Sequence, residues 1–274
     1  MTGPGADADA EQIKICCATS YSSDVVGLLL GPSYHPGGLS LTRRLLDLLG
    51  LSPGMRLVDV ACGIGTTSRL AASEYDVVVD GVDLSDANVA AAADTAASAG
   101  LDGMLQFHHG DAEALPLASG RWDAVICECA LCTFPDKVTA VREMARVLRP
   151  GGRVGIADIA ADRARLPAEL LGVAAWVACV ADARSSDEYR CILEDAGLSV
   201  MTAERHTAAL SRMIDHIGAR LELLRMTARP RAEALGIDFA RAQPVLRAAR
   251  LAVSDGILDY VVVVAEKPAV AHVG

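Results

Sequence analysis

The sequence predicts an α/β fold: a doubly wound, mostly parallel seven-stranded sheet with an N-terminal cover and a helical C-terminal insertion. Three observations carry this. Short apolar runs suited to buried strands alternate with stretches of helical spacing, an order that implies right-handed βαβ crossovers. Hydrophobic residues make up 52% of the 274 and are mostly Ala, Val and Leu, with only 4% aromatics. That composition suits helices packed on a sheet buried on both faces. Finally, acidic residues stand at the ends of three successive predicted strands, at the edge where open α/β sheets bind ligands.

Residues 1–12 read as a tail, and Ile13 to Gly38 as a cover segment ending in the turn-rich Gly31-Pro-Ser-Tyr-His-Pro-Gly-Gly38. Leu39 to Leu49 has helical spacing, with Ser40 as candidate N-cap and Gly50 and Pro53 as stops. Strands are predicted at 56–61, 77–83 and 105–110, with helices at 66–72 and 87–99 between them. A fourth strand at 122–127 leads to a helix at 137–148 closed by Arg149-Pro-Gly-Gly152, then a fifth strand at 153–159. Helices at 163–179 and 186–196 precede a strand at 198–204. An amphipathic helix at 207–226, a helix at 239–253 and a final antiparallel strand at 258–265 complete the chain. The core is thus expected over 39–206, preceded by the 1–38 tail and cover, with 207–274 as insertion and last strand of the same domain.

A net charge of −10 opposes phosphate backbones, so no nucleic-acid partner is expected and a small-molecule partner is. No run of about 18 apolar residues suggests a membrane span, and the acidic, polar first residues lack the pattern of an export signal. A cytoplasmic chain with reduced thiols is therefore expected despite eight cysteines.

The run Leu57-Val-Asp-Val-Ala-Cys-Gly-Ile-Gly-Thr66 puts Asp59 at a strand end and Gly63 and Gly65 in the turn before a helix. Such a turn lets backbone approach a ligand closely. Asp83, followed by Leu84, ends the next strand, where a carboxylate can accept both hydroxyls of a ribose. Asp111 and Ala112 follow the third, where an Asp can accept an adenine amino group. A nicotinamide dehydrogenase would need G-x-G-x-x-G, but Thr66, Thr67 and Ser68 follow Gly65.

Together with Leu148-Arg-Pro-Gly-Gly152, these residues resemble class I S-adenosylmethionine-dependent methyltransferases over about 40–160. The resemblance implies S-adenosylmethionine as cofactor. Asp59, Ala61, Gly63 and Gly65 would frame its methionine and the loop, Asp83 its ribose, and Asp111 with Ala112 its adenine. Ala61 stands where that family commonly has glycine.

The fourth strand runs into Cys127-Glu-Cys129-Ala-Leu-Cys132. Here the chain resembles the arsenite methyltransferases, which implies Cys129 and Cys179 as ligands of trivalent arsenic and Cys16-Cys17 as a capture or relay pair. Cys132 is a further candidate, and Cys17 joins Cys129 and Cys179 as the expected metalloid-binding set. Thiolates suit a soft metalloid, whose lone pair would attack the methyl group, with a thiol reductant restoring trivalent arsenic. Methylation of an oxygen, nitrogen or carbon of a small metabolite is the alternative, and a non-catalytic metalloid- or zinc-binding module a second. Zinc finds only half a motif in Cys129-x-x-Cys132. Glu128 and Tyr21 are candidate cofactor contacts and His35 a candidate proton carrier, whereas Cys62, His108 and His109 read as structural.

Overall fold

The computed structural model describes residues 35–171, 180 and 182–269. Their strands are β1 (Arg56–Val60), β2 (Val78–Asp83), β3 (Leu105–His109), β4 (Trp122–Glu128), β5 (Leu148–Ala161), β6 (Ser199–Arg205) and β7 (Leu258–Glu266). They form one seven-stranded sheet in the order β3-β2-β1-β4-β5-β7-β6. The β1–β2, β2–β3, β1–β4 and β4–β5 pairs are parallel, whereas β7 runs antiparallel to both β5 and β6. Strand order reverses between β1 and β4, so a crevice opens there at the carboxyl ends, the usual ligand position of this architecture.

The longer helices are α1 (Gly38–Leu49), α2 (Thr66–Tyr75), α3 (Asp86–Ser98), α4 (Lys137–Val147), α5 (Ser186–Asp195), α6 (Thr207–Thr227), α7 (Arg229–Ala234) and α8 (Phe239–Ser254). One core cluster joins α1, α2, α3, α6 and α8 to one face of the sheet, and a second joins α4 and α5 to the other. Leu41, Leu45, Leu46 and Leu49 of α1 are buried, each contributing about 2 kcal/mol by removal from water. Beneath them lies Gly155 of β5, where an added Cβ would stand 2.6 Å from Leu45 Cδ1. That glycine sets how closely α1 can approach the sheet. Within β2, the buried Asp80 accepts hydrogen bonds from Trp122 Nε1 at 2.8 Å and from an Arg56 guanidinium nitrogen at 3.3 Å. His108 Nε2 lies 3.0 Å from the same carboxylate, in keeping with a structural role for His108.

Four expectations change. Helix α1 begins at Gly38 with Gly37 (φ 81°) at the cap, so Ser40 lies inside the first turn and is not the N-cap. The Arg149–Gly152 turn belongs to β5, because Leu148 already pairs with Trp122. The predicted helix at 163–179 is, up to residue 171, two 3-10 turns, Arg163–Arg165 and Ala168–Leu170. Pro167 separates them, holding Leu166 extended and supplying no amide proton for a continuous helix. The short α7 lies between the expected helices 207–226 and 239–253, where no element is predicted; Pro230 in its first turn marks its start. Among the described residues no helix is long and apolar enough to cross a membrane.

Candidate active site

The loop between β1 and α2 wraps the switch point. Ala61 holds φ 57°, Gly63 φ 54° and Gly65 φ 71°. The left-handed region costs a residue bearing Cβ about 1–2 kcal/mol, so Ala61 is strained where glycine would not be. Ala61→Gly is accordingly expected to raise stability by about 1 kcal/mol, less the entropy glycine adds to the unfolded chain. Thermal melting should move up by about 2–3 °C, and an unchanged or lower melting temperature would show that Ala61 is not strained.

Asp59 is buried, and its Oδ2 accepts from Ser68 Oγ at 2.6 Å. Burial pushes its carboxyl up to about 7; the Ser68 hydrogen bond opposes this, while the Glu128 and Asp83 charges add to it. Asp83 is also buried: Oδ2 accepts from Gly63 N at 2.8 Å, and Oδ1 from Ser85 N at 2.9 Å and Asn88 Nδ2 at 3.1 Å. A carboxylate offers about four acceptor positions, so the Asn88 amide, on a movable side chain, is the bond a diol can displace. Leu84, half-buried, follows it. Asp111, half-buried, accepts from Glu113 N at 2.9 Å and pairs with Ala114 in a small bridge that holds Ala112 at the edge.

Across the switch point, Glu128 accepts from Thr67 Oγ1 of α2 at 2.7 Å and from Thr42 Oγ1 of α1 at 3.1 and 3.2 Å. His35 Nε2 lies 3.3 Å from the same Thr42 hydroxyl. Asp59, Asp83 and Glu128 are thus gathered at one crevice, held by Ser68, Thr67, Thr42 and Asn88. These four sequence reasoning missed. Ser68 and Thr67 follow the glycine loop and Asn88 follows Asp83, which were the available signals; Thr42 had none. The donor set fits a cation with a diol, because the acids present acceptors and local negative charge.

The cysteines separate. Cys129 is half-buried at the end of β4, with φ 53°. Cys132 is fully buried in the core cluster, with its main-chain amide bonded to the Asp158 carboxylate. Cys127 is buried as well, and burial pushes its thiol and that of Cys62 well above the usual range, leaving both unreactive. Cys16, Cys17, Tyr21 and Cys179 lie outside the described residues. Among the described residues no group of three or more His, Cys, Asp or Glu side chains is placed to hold a metal ion.

An open sheet whose carboxyl edge gathers acids beside a glycine turn at the switch point defines a nucleoside-dependent α/β enzyme. A family model described as a methyltransferase domain matches residues 58–156. The chain is 34% identical over 237 residues to 27-O-demethylrifamycin SV methyltransferase of Amycolatopsis mediterranei (strain S699), covering 83% of each. It is 29% identical over 187 residues to phosphoethanolamine N-methyltransferase of Triticum aestivum, covering 68% of this chain and 36% of that one. It also shares its fold with the mycolic acid cyclopropane synthase CmaA1, at a TM-score of 0.77 and 19% identity, over 93% of this chain and 97% of the other. The chain belongs to the class I S-adenosylmethionine-dependent methyltransferases, and S-adenosylmethionine is its cofactor. The non-catalytic alternative falls with that assignment.

Proposed function

We propose that this enzyme methylates a hydroxyl oxygen of a bulky small molecule, of the kind named for its Amycolatopsis relative. The observation that carries the reading is the 34% identity over 83% of both chains. A match of 237 residues runs well beyond the 58–156 that the methyltransferase-domain model matches, which supports a likeness outside that span as well.

In this reading Asp83 receives the ribose hydroxyls, Asp111 with Ala112 the adenine, and Leu84 lies against the nucleoside. Asp59 and Glu128 face the cationic methionine end, where the loop of Ala61, Gly63 and Gly65 lets backbone come close. Tyr21 keeps its proposed place at the methionine end. S-adenosylmethionine supplies, when bound, an electrophilic methyl group on a sulfonium. The protein's part is to align the acceptor oxygen with that methyl group and to take its proton. His35 is the proton carrier proposed for this end of the crevice; its Nε2 lies 3.3 Å from Thr42 Oγ1, which itself donates to Glu128, so the ring must turn from Thr42 to take the proton.

The arsenic reading rests on Cys129, half-buried at the strand end, with Cys16, Cys17 and Cys179 and the buried Cys132 as a further candidate, and it requires a thiol reductant. One experiment separates these. Methyl-labelled S-adenosylmethionine is incubated with 27-O-demethylrifamycin SV, with phosphoethanolamine, and with arsenite plus glutathione. Label in an ether of the first is expected. Label only in the arsenite arm restores the metalloid reading, label only in the second makes the acceptor a nitrogen, and label in none removes the oxygen assignment.

A further inference from the structure

Asp158 is a fully buried carboxylate within the apolar run of β5, and no step above uses it. A carboxylate so placed persists only if its oxygens are hydrogen-bonded. Both are bonded to main chain: Oδ1 accepts from Ile159 N at 2.7 Å and Oδ2 from Cys132 N at 2.9 Å. The second bond crosses from β5 to the 3-10 turn Leu131–Thr133 that follows β4. That turn is entered through Cys129 in the left-handed region, and Cys129 N donates to Ala157 O at 2.7 Å. The same carbonyl accepts from Tyr260 Oη of β7 at 3.1 Å. Residues 129–132 are therefore tied to 157–158 of β5 at two points, one of them a carboxylate. Beyond the turn, the buried Lys137 ammonium donates to Phe134 O at 2.9 Å and pairs with Asp182. The whole connection starts one residue after Glu128, so its shape sets what stands beside the methionine end of the crevice.

We propose that Asp158 is a positioning residue for methyl transfer: by holding the Cys132 amide it fixes the Cys129–Thr133 turn as the wall that aligns the acceptor with the methyl group. This rests on the cofactor lying at the Asp59–Glu128 crevice, not on which acceptor is methylated. Alignment is sensitive, since a shift of about 1 Å can slow transfer about 100-fold while leaving the cofactor's own contacts in place.

The test uses Asp158→Ala and Asp158→Asn with three readings: S-adenosylhomocysteine affinity by calorimetry, turnover of 27-O-demethylrifamycin SV, and iodoacetamide labelling of Cys132 in the native protein. Asp158→Ala is expected to lower kcat about 100-fold, to leave the Kd for S-adenosylhomocysteine within about twofold, and to open Cys132 to alkylation. Asp158→Asn, which keeps one acceptor oxygen, should recover about tenfold of the loss. Cofactor affinity falling in step with kcat overturns the proposal, as does an unchanged kcat with Cys132 alkylated. Should Asp158→Ala not fold, Asp158→Asn decides: a lowered kcat at kept affinity supports the proposal, and an unchanged kcat overturns it. If wild-type protein leaves 27-O-demethylrifamycin SV unmethylated, only the acceptor assignment fails. The kcat reading is then taken with phosphoethanolamine or with arsenite plus glutathione, whichever accepts label from the wild-type protein, and the same outcomes decide.

Discussion

Replacing Asp83 with alanine is expected to weaken S-adenosylmethionine binding about a thousandfold. A ribose diol makes two hydrogen bonds to an ionised carboxylate, each contributing about 1.5–3 kcal/mol because the acceptor is charged and the crevice partly dry. A combined loss of about 4 kcal/mol corresponds to about three orders of magnitude in Kd. The substitution also strips Gly63 N of its partner at 2.8 Å, so the loop loses its tie to β2. Calorimetric titration with S-adenosylmethionine and S-adenosylhomocysteine checks both, with circular dichroism to verify folding. Binding within about fivefold of wild type would remove Asp83 from the ribose position. Asn88→Ala should by contrast leave affinity equal or slightly higher, because the amide at 3.1 Å competes with the diol for Oδ1.

Asp59 is expected to make cofactor-free stability and cofactor affinity depend on pH in opposite directions. Its carboxyl is raised to about 7, chiefly by burial. An unfolded aspartate titrates near 3.9, so over the interval between these values the folded chain binds more protons than the unfolded one. This group therefore favours the fold at low pH, and the contribution is lost as pH rises from about 4 through about 7. Between pH 5 and pH 8 the loss is about 2–3 kcal/mol, and Asp59→Asn should flatten it. The cationic methionine end favours the ionised carboxylate, so binding at pH 6 takes place with proton release. If only the ionised form accepts the cofactor, affinity rises about tenfold from pH 6 to pH 8. Titrations in buffers of different ionisation enthalpy count the protons. An affinity independent of pH in wild-type protein would mean that Asp59 does not sense the cofactor's charge.

The sheet was readable because its strands are short apolar runs and its helices carry leucine and alanine at helical spacing, with Gly50 closing α1 as expected. The turn connecting Leu148 to Gly152 was misread because pairing with Trp122, a non-local fact, extends β5 past it. Asp83 and Asp111 were visible as acids at strand ends. The partners of Glu128 were not, since Thr67 and Thr42 lie 61 and 86 residues away and are threonines without a local pattern. Asp158 carried a signal that went unused, a single carboxylate inside Gly155-Ile-Ala-Asp-Ile-Ala. The exposure of the cysteines was not legible either. Cys127, Cys129 and Cys132 are bunched in sequence, yet the fold buries Cys127 and Cys132 and leaves only Cys129 partly open, a difference that packing alone sets.

The three helices between β6 and β7 leave the sheet at Arg205 and rejoin it at Leu258, on adjacent antiparallel strands, with His206 N bonded to Tyr260 O at 2.7 Å. Chain departing and returning at neighbouring rungs is a closed loop whose exchange adds little closure entropy. Evolution, or a protein engineer splicing at 206 and 257, can exchange that whole module between paralogues without breaking a strand, provided its buried face still meets α1 and the sheet. A chimera joined at those two seams is expected to fold where the donor's module keeps the apolar residues that meet α1 and the sheet.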